Sequence, residues 1–296
     1  MLILARASCA GSAKCPPTGR LILAGSGPGH PSLLTLATLN ALVHANLVLA
    51  DKLIPPPILA LIPRRTPLHI ARKFPGNADA AQAHLMALAL SHVIAGRTVV
   101  RLKQGDPYLY GRGGEEVAAF AAHGLAHCVS VLPGLSSALV APLYAAIPPT
   151  QRAVADQVLI CTGTAQRGLP PPAPDFVASR TTVFLMALHR IHDLVAQLIA
   201  AAWPSDTPCA VIERATCPDQ RIIRSRLAHV AAAIDAVGSR PPGLLVVGAA
   251  CTALPHENDA VHEEFWSVEQ GLNPADLALS IPLPWLNSTL PEPPAT

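Results

Sequence analysis

The sequence has little charge, few aromatic residues and no long apolar run. Charged residues make up 14% of the 296 residues and aromatic residues 4%, whereas 51% are hydrophobic. Soluble domains average about 25% charged residues, and disordered chains are poor in apolar ones, so the composition excludes a disordered chain. Polar residues and prolines break every apolar stretch before it reaches the roughly 18 residues of a membrane-spanning helix. We therefore expect a protein that does not span a membrane.

The sequence also lacks the patterns that hold metals, form disulfide frameworks or bind nucleic acid. Its seven cysteines are an odd set without a C-x-x-C pair, and no H-E-x-x-H occurs. Neither a zinc site nor a disulfide framework is predicted from such a pattern. The net charge is only +2 and no block of Lys and Arg stands out, whereas nucleic-acid binders carry dense basic patches. We expect a cytoplasmic protein with reduced cysteines, no metal and no nucleic-acid partner.

Short apolar strands alternate with amphipathic helices along most of the chain. In the first half, the predicted strands are LILAG (21–25), LVLA (47–50) and TVVRL (98–102), and the predicted helices cover 32–45, 78–95, 113–123 and 134–145. In the second half, QVLICTG, TTVFLM, PCAVIE, RIIRS and GLLVVG are predicted strands, with helices at about 189–201 and 227–237. This alternation predicts an α/β protein with largely parallel strands and helical faces.

The change of pattern at IPPTQRA indicates a boundary between two domains. We predict an N-terminal extension over 1–20, an N-terminal α/β domain over 21–148, a C-terminal α/β domain over 149–254 and a polar, Pro-rich tail over 255–296. The apolar stretch at the start of this extension is shorter than that of a secretory signal. The tail has no sustained hydrophobic period, which is typical of a loosely ordered segment.

A glycine-rich turn follows the first predicted strand. The turn Gly25-Ser26-Gly27-Pro28-Gly29 and the later Asp51 stand where a dinucleotide-binding fold has its phosphate loop and its ribose-binding acid. However, His30 takes the place of the third glycine, and Pro28 has no N–H to donate to a pyrophosphate. A purely structural turn explains the glycines equally well, and an NAD-dependent oxidoreductase is one alternative.

A second glycine-rich loop follows the predicted strand 98–102. It contains Gly105 and Asp106 and leads into a helix that begins with Glu115 and Glu116 in its first turn. Ligands of open parallel sheets bind outside the carboxyl ends of the strands, so Gly105 and Asp106 are well placed to hold one. The two glutamates are predicted to stabilise the helix through its dipole, without a role in binding.

Four segments in order resemble the tetrapyrrole methylase family, whose members use S-adenosylmethionine. They are GSGPG, Asp51 with Lys52-Leu53, LKQGDPYLYGRGGEE, and PGLSSALVAPLYAAIPPTQR, and the resemblance covers about 21–254. The GRGGEE extension is most similar to the branch that methylates uroporphyrinogen III. The resemblance implies a two-domain fold in which each domain is a mostly parallel or mixed sheet flanked by helices. It also implies a cofactor between the domains, and a homodimer.

The resemblance further implies a reaction and a set of site residues. The reaction is C-methylation of uroporphyrinogen III at carbons 2 and 7 to give precorrin-2, as in sirohaem and cobalamin biosynthesis. Asp51 corresponds to a proton acceptor and Lys73 to a proton donor. Arg152 and Arg72 are expected to pair with substrate carboxylates, with Arg101 and Arg112 as further candidates. The residues expected to bind the cofactor are Pro28, Gly105, Asp106, Leu109, Ser136, Ser137, Met186 and Ala215.

Three positions depart from the family pattern. Gln104 and Ala215 stand where the family usually has glycine, and Gln151 where it usually has histidine. Glutamine strains a loop that needs a positive φ, and it cannot titrate as histidine does. These departures favour, as an alternative, a homologue that binds the cofactor without catalysis. A sister methylase with another ring substrate is a further alternative.

Overall fold

The computed structural model describes residues 19–71, 78–164, 171–255 and 265–272. Its first sheet has five strands in the order β3-β2-β4-β1-β5, and all of its pairings are parallel. The strands are β1 (Arg20–Gly25), β2 (Leu47–Ala50), β3 (Leu68–Ile70), β4 (Thr98–Lys103) and β5 (Val129–Leu132). Gly25 pairs with Lys103 and Ala24 with Leu132, so the carboxyl ends of β1, β4 and β5 form one edge.

Helices cover both faces of this sheet, which explains why its strands are apolar on both sides. The helices of the first half are α1 (Leu36–Val43), α2 (Pro56–Leu59), α3 (Ala78–Ile94), α4 (Gly113–Ala122) and α5 (Ser137–Tyr144). One core contains Leu47 and Leu49 with residues of α3 and α4, and the opposite core contains Val48 and Ala50 with residues of α1 and α2. Thr35 caps α1, because its Oγ1 accepts a hydrogen bond from the N–H of Thr38 at 3.1 Å.

The second sheet has six strands in the order β11-β9-β8-β10-β7-β6, and it is mixed. The strands are β6 (Gln157–Thr162), β7 (Arg180–Leu185), β8 (Pro208–Glu213), β9 (Arg221–Arg226), β10 (Gly243–Val247) and β11 (Trp266–Gln270). Only β6 and β7 pair in parallel, while the other neighbours are antiparallel. Helices α6 (Ile191–Ala200) and α7 (Val230–Val237) pack on one face.

Helix α5 covers the other face of the second sheet. Its residues Ala138 and Ala141 share a buried cluster with Ala210, Leu244 and other residues of that sheet. The small side chains allow the helix to pack closely on the strands. The last helix of the first half therefore joins the two halves through an apolar core. None of the helices in the part of the chain that the structure describes is long and apolar enough to cross a membrane.

The α/β architecture with one parallel and one mixed sheet confirms the predicted fold class. The predicted loosely ordered tail is wrong for β11, because Trp266–Gln270 pairs with residues 221–225 of β9 and places Trp266 and Val268 against the core. The short strand β3 and the strand β5 were not predicted. Residues 1–18 and 273–296 lie outside the described residues, and the domain boundary near residue 148 stays a prediction.

Candidate functional site

Three backbone loops meet at the carboxyl edge of the first sheet. Gly27 and Gly105 exchange two backbone hydrogen bonds, of 3.0 and 3.3 Å, which join the loop after β1 to the loop after β4. The loop after β5 packs directly on both, because an added Cβ on Gly134 would lie 2.1 Å from the carbonyl oxygen of Gly105 and 2.7 Å from the Cα of Gly25. Only glycine permits this contact of backbone with backbone.

A cavity of about 650 Å³ opens between these loops and the second sheet. Its volume falls within the roughly 300–1,000 Å³ that is typical of small-molecule sites. Every residue that the sequence predicts to bind the cofactor lines this one cavity. These residues are Pro28, Gly105, Asp106, Leu109, Ser136, Ser137, Met186 and Ala215. The structure therefore brings together side chains that are up to 187 residues apart in the sequence, from Pro28 to Ala215.

Asp106 organises the floor of the cavity. Its Oδ1 accepts hydrogen bonds from the N–H groups of Tyr108 at 2.8 Å and Leu109 at 3.3 Å, and its Oδ2 accepts one from Gly134 at 3.3 Å. Ser136 caps α5 in a similar way, since its Oγ accepts from the N–H of Ala138 at 3.2 Å. Both polar residues fix the backbone that forms the cavity wall.

The second half contributes the opposite wall, and it does so with unusual backbone. Met186 follows β7 with φ of 55° and is 45% exposed, so its thioether side chain is open to the cavity. Ala215 lies between Arg214 and Thr216, whose φ values are 50° and 66°. Such left-handed conformations are uncommon for residues other than glycine and cluster at functional sites.

A buried ion pair supports the last part of this wall, the segment 239–243. The Nη2 of Arg221 lies 2.5 Å from the Oε2 of Glu213, and both side chains are almost fully buried. The Oε1 of Glu213 accepts a hydrogen bond from the N–H of Arg240 at 2.5 Å, and Arg221 donates to the carbonyl groups of Val237 and Gly238. The pair thereby anchors Pro241, Pro242 and Gly243, which line the cavity and which sequence reasoning missed. The Pro-Pro-Gly turn before β10 is the signal that could have pointed to them.

Several hydrogen bonds connect the two halves, and two of them involve loops that contribute to the cavity. The N–H of His30 donates to Thr216 Oγ1 at 3.1 Å, and the hydroxyl of Tyr110 donates to the carbonyl of Ile160 at 3.0 Å. Burial lowers the pKa of His30, and its Nδ1 accepts from the N–H of Ser32, as a neutral imidazole can. Burial, together with the Cys161 thiol, raises the pKa of Tyr110, so its hydroxyl remains a donor.

Asp51 lies beside the cavity without lining it. Its Oδ1 is 2.5 Å from Arg101 Nη2, its Oδ2 accepts from the N–H of Gln104 at 3.3 Å, and its side chain is 29% exposed. Gln104, whose N–H donates to Asp51, and Leu53, two residues after Asp51 in the sequence, both line the cavity. The predicted proton acceptor is thus held at the rim.

Several expectations for charged residues are corrected by the structure. Arg101 is 1% exposed and pairs with Asp51 and Glu116, so it is enclosed by protein and cannot reach a substrate carboxylate. Glu116 lies in the first turn of α4, as predicted, but it is fully buried and also pairs with Arg101 and Lys103. Glu115 is exposed and pairs with Arg112 at 2.7 Å. The predicted partner Arg152 is exposed in the loop after α5, and Lys73 and Arg72 lie outside the described residues.

The departures at Gln104 and Gln151 are accommodated locally. Gln104 does not have a positive φ, and the left-handed residue of the loop is Gly105, with φ of 67°. The expected strain at position 104 is therefore absent. Gln151 exchanges backbone hydrogen bonds of 2.9 Å with Ala155 and closes a tight turn.

The chemistry of the lining favours a ligand without phosphates. No lysine or arginine lines the cavity in the described part of the chain, and the one carboxylate there belongs to Asp106. A pyrophosphate binds through cations or free N–H groups, and Pro28 offers none. The apolar side chains and glycine backbone instead suit a neutral or cationic molecule held by close contact. Over the same described ranges, no group of His, Cys, Asp and Glu residues could hold a metal ion.

Comparisons with known proteins agree with this geometry. A family model described as Tetrapyrrole (Corrin/Porphyrin) Methylases matches residues 20–231. The probable uroporphyrinogen-III C-methyltransferase of Schizosaccharomyces pombe is 55% identical over 236 residues, which are 80% of this chain and 47% of that protein. The uroporphyrinogen-III C-methyltransferase of Saccharomyces cerevisiae is 53% identical over 236 residues, which are 80% of this chain and 40% of that protein. The chain thus spans less than half the length of either yeast relative.

A solved structure matches over nearly its whole length. The uroporphyrin-III C-methyl transferase from Thermus thermophilus, complexed with S-adenyl homocysteine, superposes with a TM-score of 0.69 and 33% identity. The match covers 81% of this chain and 96% of that one. That structure holds the demethylated form of a sulfonium nucleoside, which is a ligand without phosphates.

Proposed function

Because the chain belongs to the tetrapyrrole (corrin/porphyrin) methylase family, we propose that it methylates uroporphyrinogen III at carbons 2 and 7 and yields precorrin-2. The methyl donor is S-adenosylmethionine. The observation that carries the proposal is one cavity that is lined by every predicted cofactor residue and, among the described residues, by no lysine or arginine. The two yeast relatives, which are named uroporphyrinogen-III C-methyltransferases, and the Thermus structure with S-adenyl homocysteine support the same assignment.

The cavity residues hold the donor by contact and orient it. Gly105 and Ser136 present backbone from the first half, and Met186 packs from the second half, so a ligand between them is enclosed by both sheets. S-adenosylmethionine supplies a methyl group that is already activated on a positively charged sulfur. The protein must therefore align a ring carbon with that methyl group and exclude water, and positioning of this kind supplies roughly 7–11 kcal/mol.

Asp51 accepts the proton that the macrocycle loses. Formation of the new carbon–carbon bond breaks the sulfur–methyl bond, leaves sulfur neutral and places a positive charge on the ring system. Loss of one proton restores neutrality, and the partly exposed carboxylate of Asp51 at the cavity rim is the acceptor that we propose. Lys73 is proposed as the proton donor, on the resemblance to the family.

The macrocycle binds at the open side of the cavity. Leu53 and Tyr110 line the cavity and are 53% and 43% exposed, and Tyr108, two residues before Tyr110, is 58% exposed. An exposed apolar rim suits a large flat ring, and the carboxylates of the substrate need cations around that rim. Arg152 and Arg72 are proposed for this role, because charge-assisted hydrogen bonds are worth roughly 1.5–3 kcal/mol each.

The protein is also proposed to be a cytoplasmic homodimer. Leu139 and Leu143 are 51% and 64% exposed and lie one turn apart on α5. An apolar stripe on a helix that also packs against the second sheet supports a contact with a second copy. Sedimentation of the purified chain at micromolar concentration tests this point.

The reaction is tested by incubating the purified protein with S-adenosylmethionine and uroporphyrinogen III under reducing, anaerobic conditions. Mass spectrometry of the product is expected to show two added methyl groups, with the absorbance change of precorrin-2. Methylation of another ring substrate alone would instead indicate a sister methylase. Binding of S-adenosylhomocysteine without any methylated product would indicate a non-catalytic homologue, the alternative raised by Gln104, Gln151 and Ala215.

A further inference from the structure

A network of buried charges lies behind Asp51. Arg101 and Lys103 on β4 and Glu116 on α4 are each at most 2% exposed. Glu116 Oε1 lies 2.9 Å from Lys103 Nζ and 3.2 Å from Arg101 Nε, and it also accepts a hydrogen bond from Gln82. Isolated charges cost several kcal/mol each to remove from water, so these groups are retained only with close partners.

The guanidinium of Arg101 is held at all three of its nitrogens. Nε donates to Glu116, Nη1 donates to the carbonyls of Leu49 and Leu102 at 3.3 and 3.2 Å, and Nη2 donates to Asp51 Oδ1 at 2.5 Å. A planar group with every nitrogen occupied has one orientation available to it. The position of Asp51 Oδ1 is therefore set by a group that is itself fixed from the protein interior.

The network ends at the cavity rim. Arg101 pairs with Leu49 in the register of β2 and β4, so Asp51, two residues beyond Leu49, lies next to the Arg101 side chain. The other carboxylate oxygen of Asp51 accepts only a long hydrogen bond, 3.3 Å, from the N–H of Gln104. One edge of the carboxylate is thus fixed, and the side chain keeps 29% of its surface exposed.

We propose that Arg101 is a positioning residue for Asp51 and that Glu116, with Lys103, positions Arg101. The proposal rests on the proposed function, in which Asp51 accepts a proton. It gives Arg101 a different role from substrate binding and gives Glu116 a role in turnover although it touches no ligand. Catalytic geometry tolerates little displacement, since a shift of about 1 Å can cost roughly 100-fold in rate.

The variant R101K tests the proposal. Lysine keeps the positive charge but has a single nitrogen, so it cannot bridge Glu116, Asp51 and the two carbonyls at once. We expect kcat to fall about 100-fold, with the KM for S-adenosylmethionine and the affinity for S-adenosylhomocysteine unchanged, because Arg101 does not line the cavity. The matched control is R97K, the same substitution on an exposed residue just before β4, which should retain full kcat.

Glu116 is tested by E116Q against E115Q. The two glutamates are adjacent on α4, but Glu116 is buried against Arg101 and Lys103 while Glu115 is exposed and pairs with Arg112. E116Q should lower kcat, and E115Q should not. Thermal unfolding and titration with S-adenosylhomocysteine check that each variant keeps an intact cavity. If R101K does not fold, E116Q tests the proposal in its place.

A double-mutant cycle separates positioning from a purely structural role. D51N alone should lower kcat by roughly 10²–10⁴-fold, as loss of a general base does. In the D51N background, R101K should produce no further loss, because the group that it positions is gone. A further loss comparable to that in the wild-type background would overturn the proposal. So would an active R101K, whereas wild-type protein that forms no methylated tetrapyrrole overturns the proposed function and the inference with it.

Discussion

Alanine at position 134 is expected to separate the loops that form the cavity floor. The new Cβ would lie 2.1 Å from the carbonyl oxygen of Gly105, whereas ordinary van der Waals contact begins at 3.4 Å. The difference requires a movement of about 1.3 Å, and both neighbours are backbone atoms that cannot rotate away. The same movement lengthens the hydrogen bond from the N–H of Gly134 to Asp106 Oδ2.

The magnitude follows from the crowding. Overpacking of a close-packed site typically costs about 1–3 kcal/mol. Because Gly105 and Asp106 line the cavity, we expect part of this cost to appear as weaker ligand binding, about tenfold for each 1.4 kcal/mol. G134A should therefore unfold at lower urea concentration and bind S-adenosylhomocysteine at least about tenfold more weakly by calorimetry.

Gly114 provides the matched control. A Cβ at Gly114 meets no heavy atom within 4 Å, and the residue is the second of α4. G114A should bind S-adenosylhomocysteine as the wild type does and gain up to about 1 kcal/mol of stability from helix propensity. Wild-type affinity and stability in G134A would refute the packing argument for the three loops.

Three further predictions concern groups that the structure shows to be buried or fully bonded. D106A removes the acceptor for three backbone N–H groups and should weaken S-adenosylhomocysteine binding at least about tenfold, and unchanged calorimetric binding would contradict this. E213Q leaves Arg221 buried without a carboxylate partner, so the free energy of unfolding in urea should fall by roughly 3–5 kcal/mol. A loss under about 1 kcal/mol, close to the roughly 0.5 kcal/mol of surface substitutions, would show that the pair is not needed for stability. Burial raises the pKa of Cys251 to about 12, so iodoacetamide at pH 8 should spare this thiol in the folded protein. The contribution of the Cys251 thiol to stability should be lost as the pH rises from about 9, where the unfolded thiol ionises, through 12. Rapid labelling of Cys251 itself in the folded protein, located by peptide mass spectrometry, would contradict its burial.

The place of Gly105 and Asp106 could be predicted from the sequence because the topology of parallel sheets is simple. Both follow the end of β4, and ligands of open parallel sheets bind at the edge where the strands end. Ser136 could be assigned only by resemblance, because the strand before it, β5, was not predicted. The contribution of Met186 could be assigned only by resemblance, since a lone methionine after a strand is usually part of the core. Its left-handed backbone, which opens the side chain to the cavity, has no signal in the sequence.

The roles of the buried charges could not be predicted. Glu115 and Glu116 look equivalent in a first helical turn, and only the packing of α4 on the sheet turns Glu116 toward Arg101 and Lys103. Strand β11 was missed because it is five residues long and follows a polar segment, and its pairing with β9 is a long-range contact. Local pattern cannot report either kind of contact, because both depend on residues distant in the sequence.

A crystal structure of the protein with S-adenosylhomocysteine tests whether the cavity between the two sheets holds the methyl donor. We predict one ligand molecule enclosed by Gly105 and Ser136 on one side and Met186 on the other, with its sulfur toward the open rim near Asp51. A ligand bound elsewhere with this cavity empty would show that the cavity is not the donor site, as would a phosphate-containing nucleotide lying across Pro28.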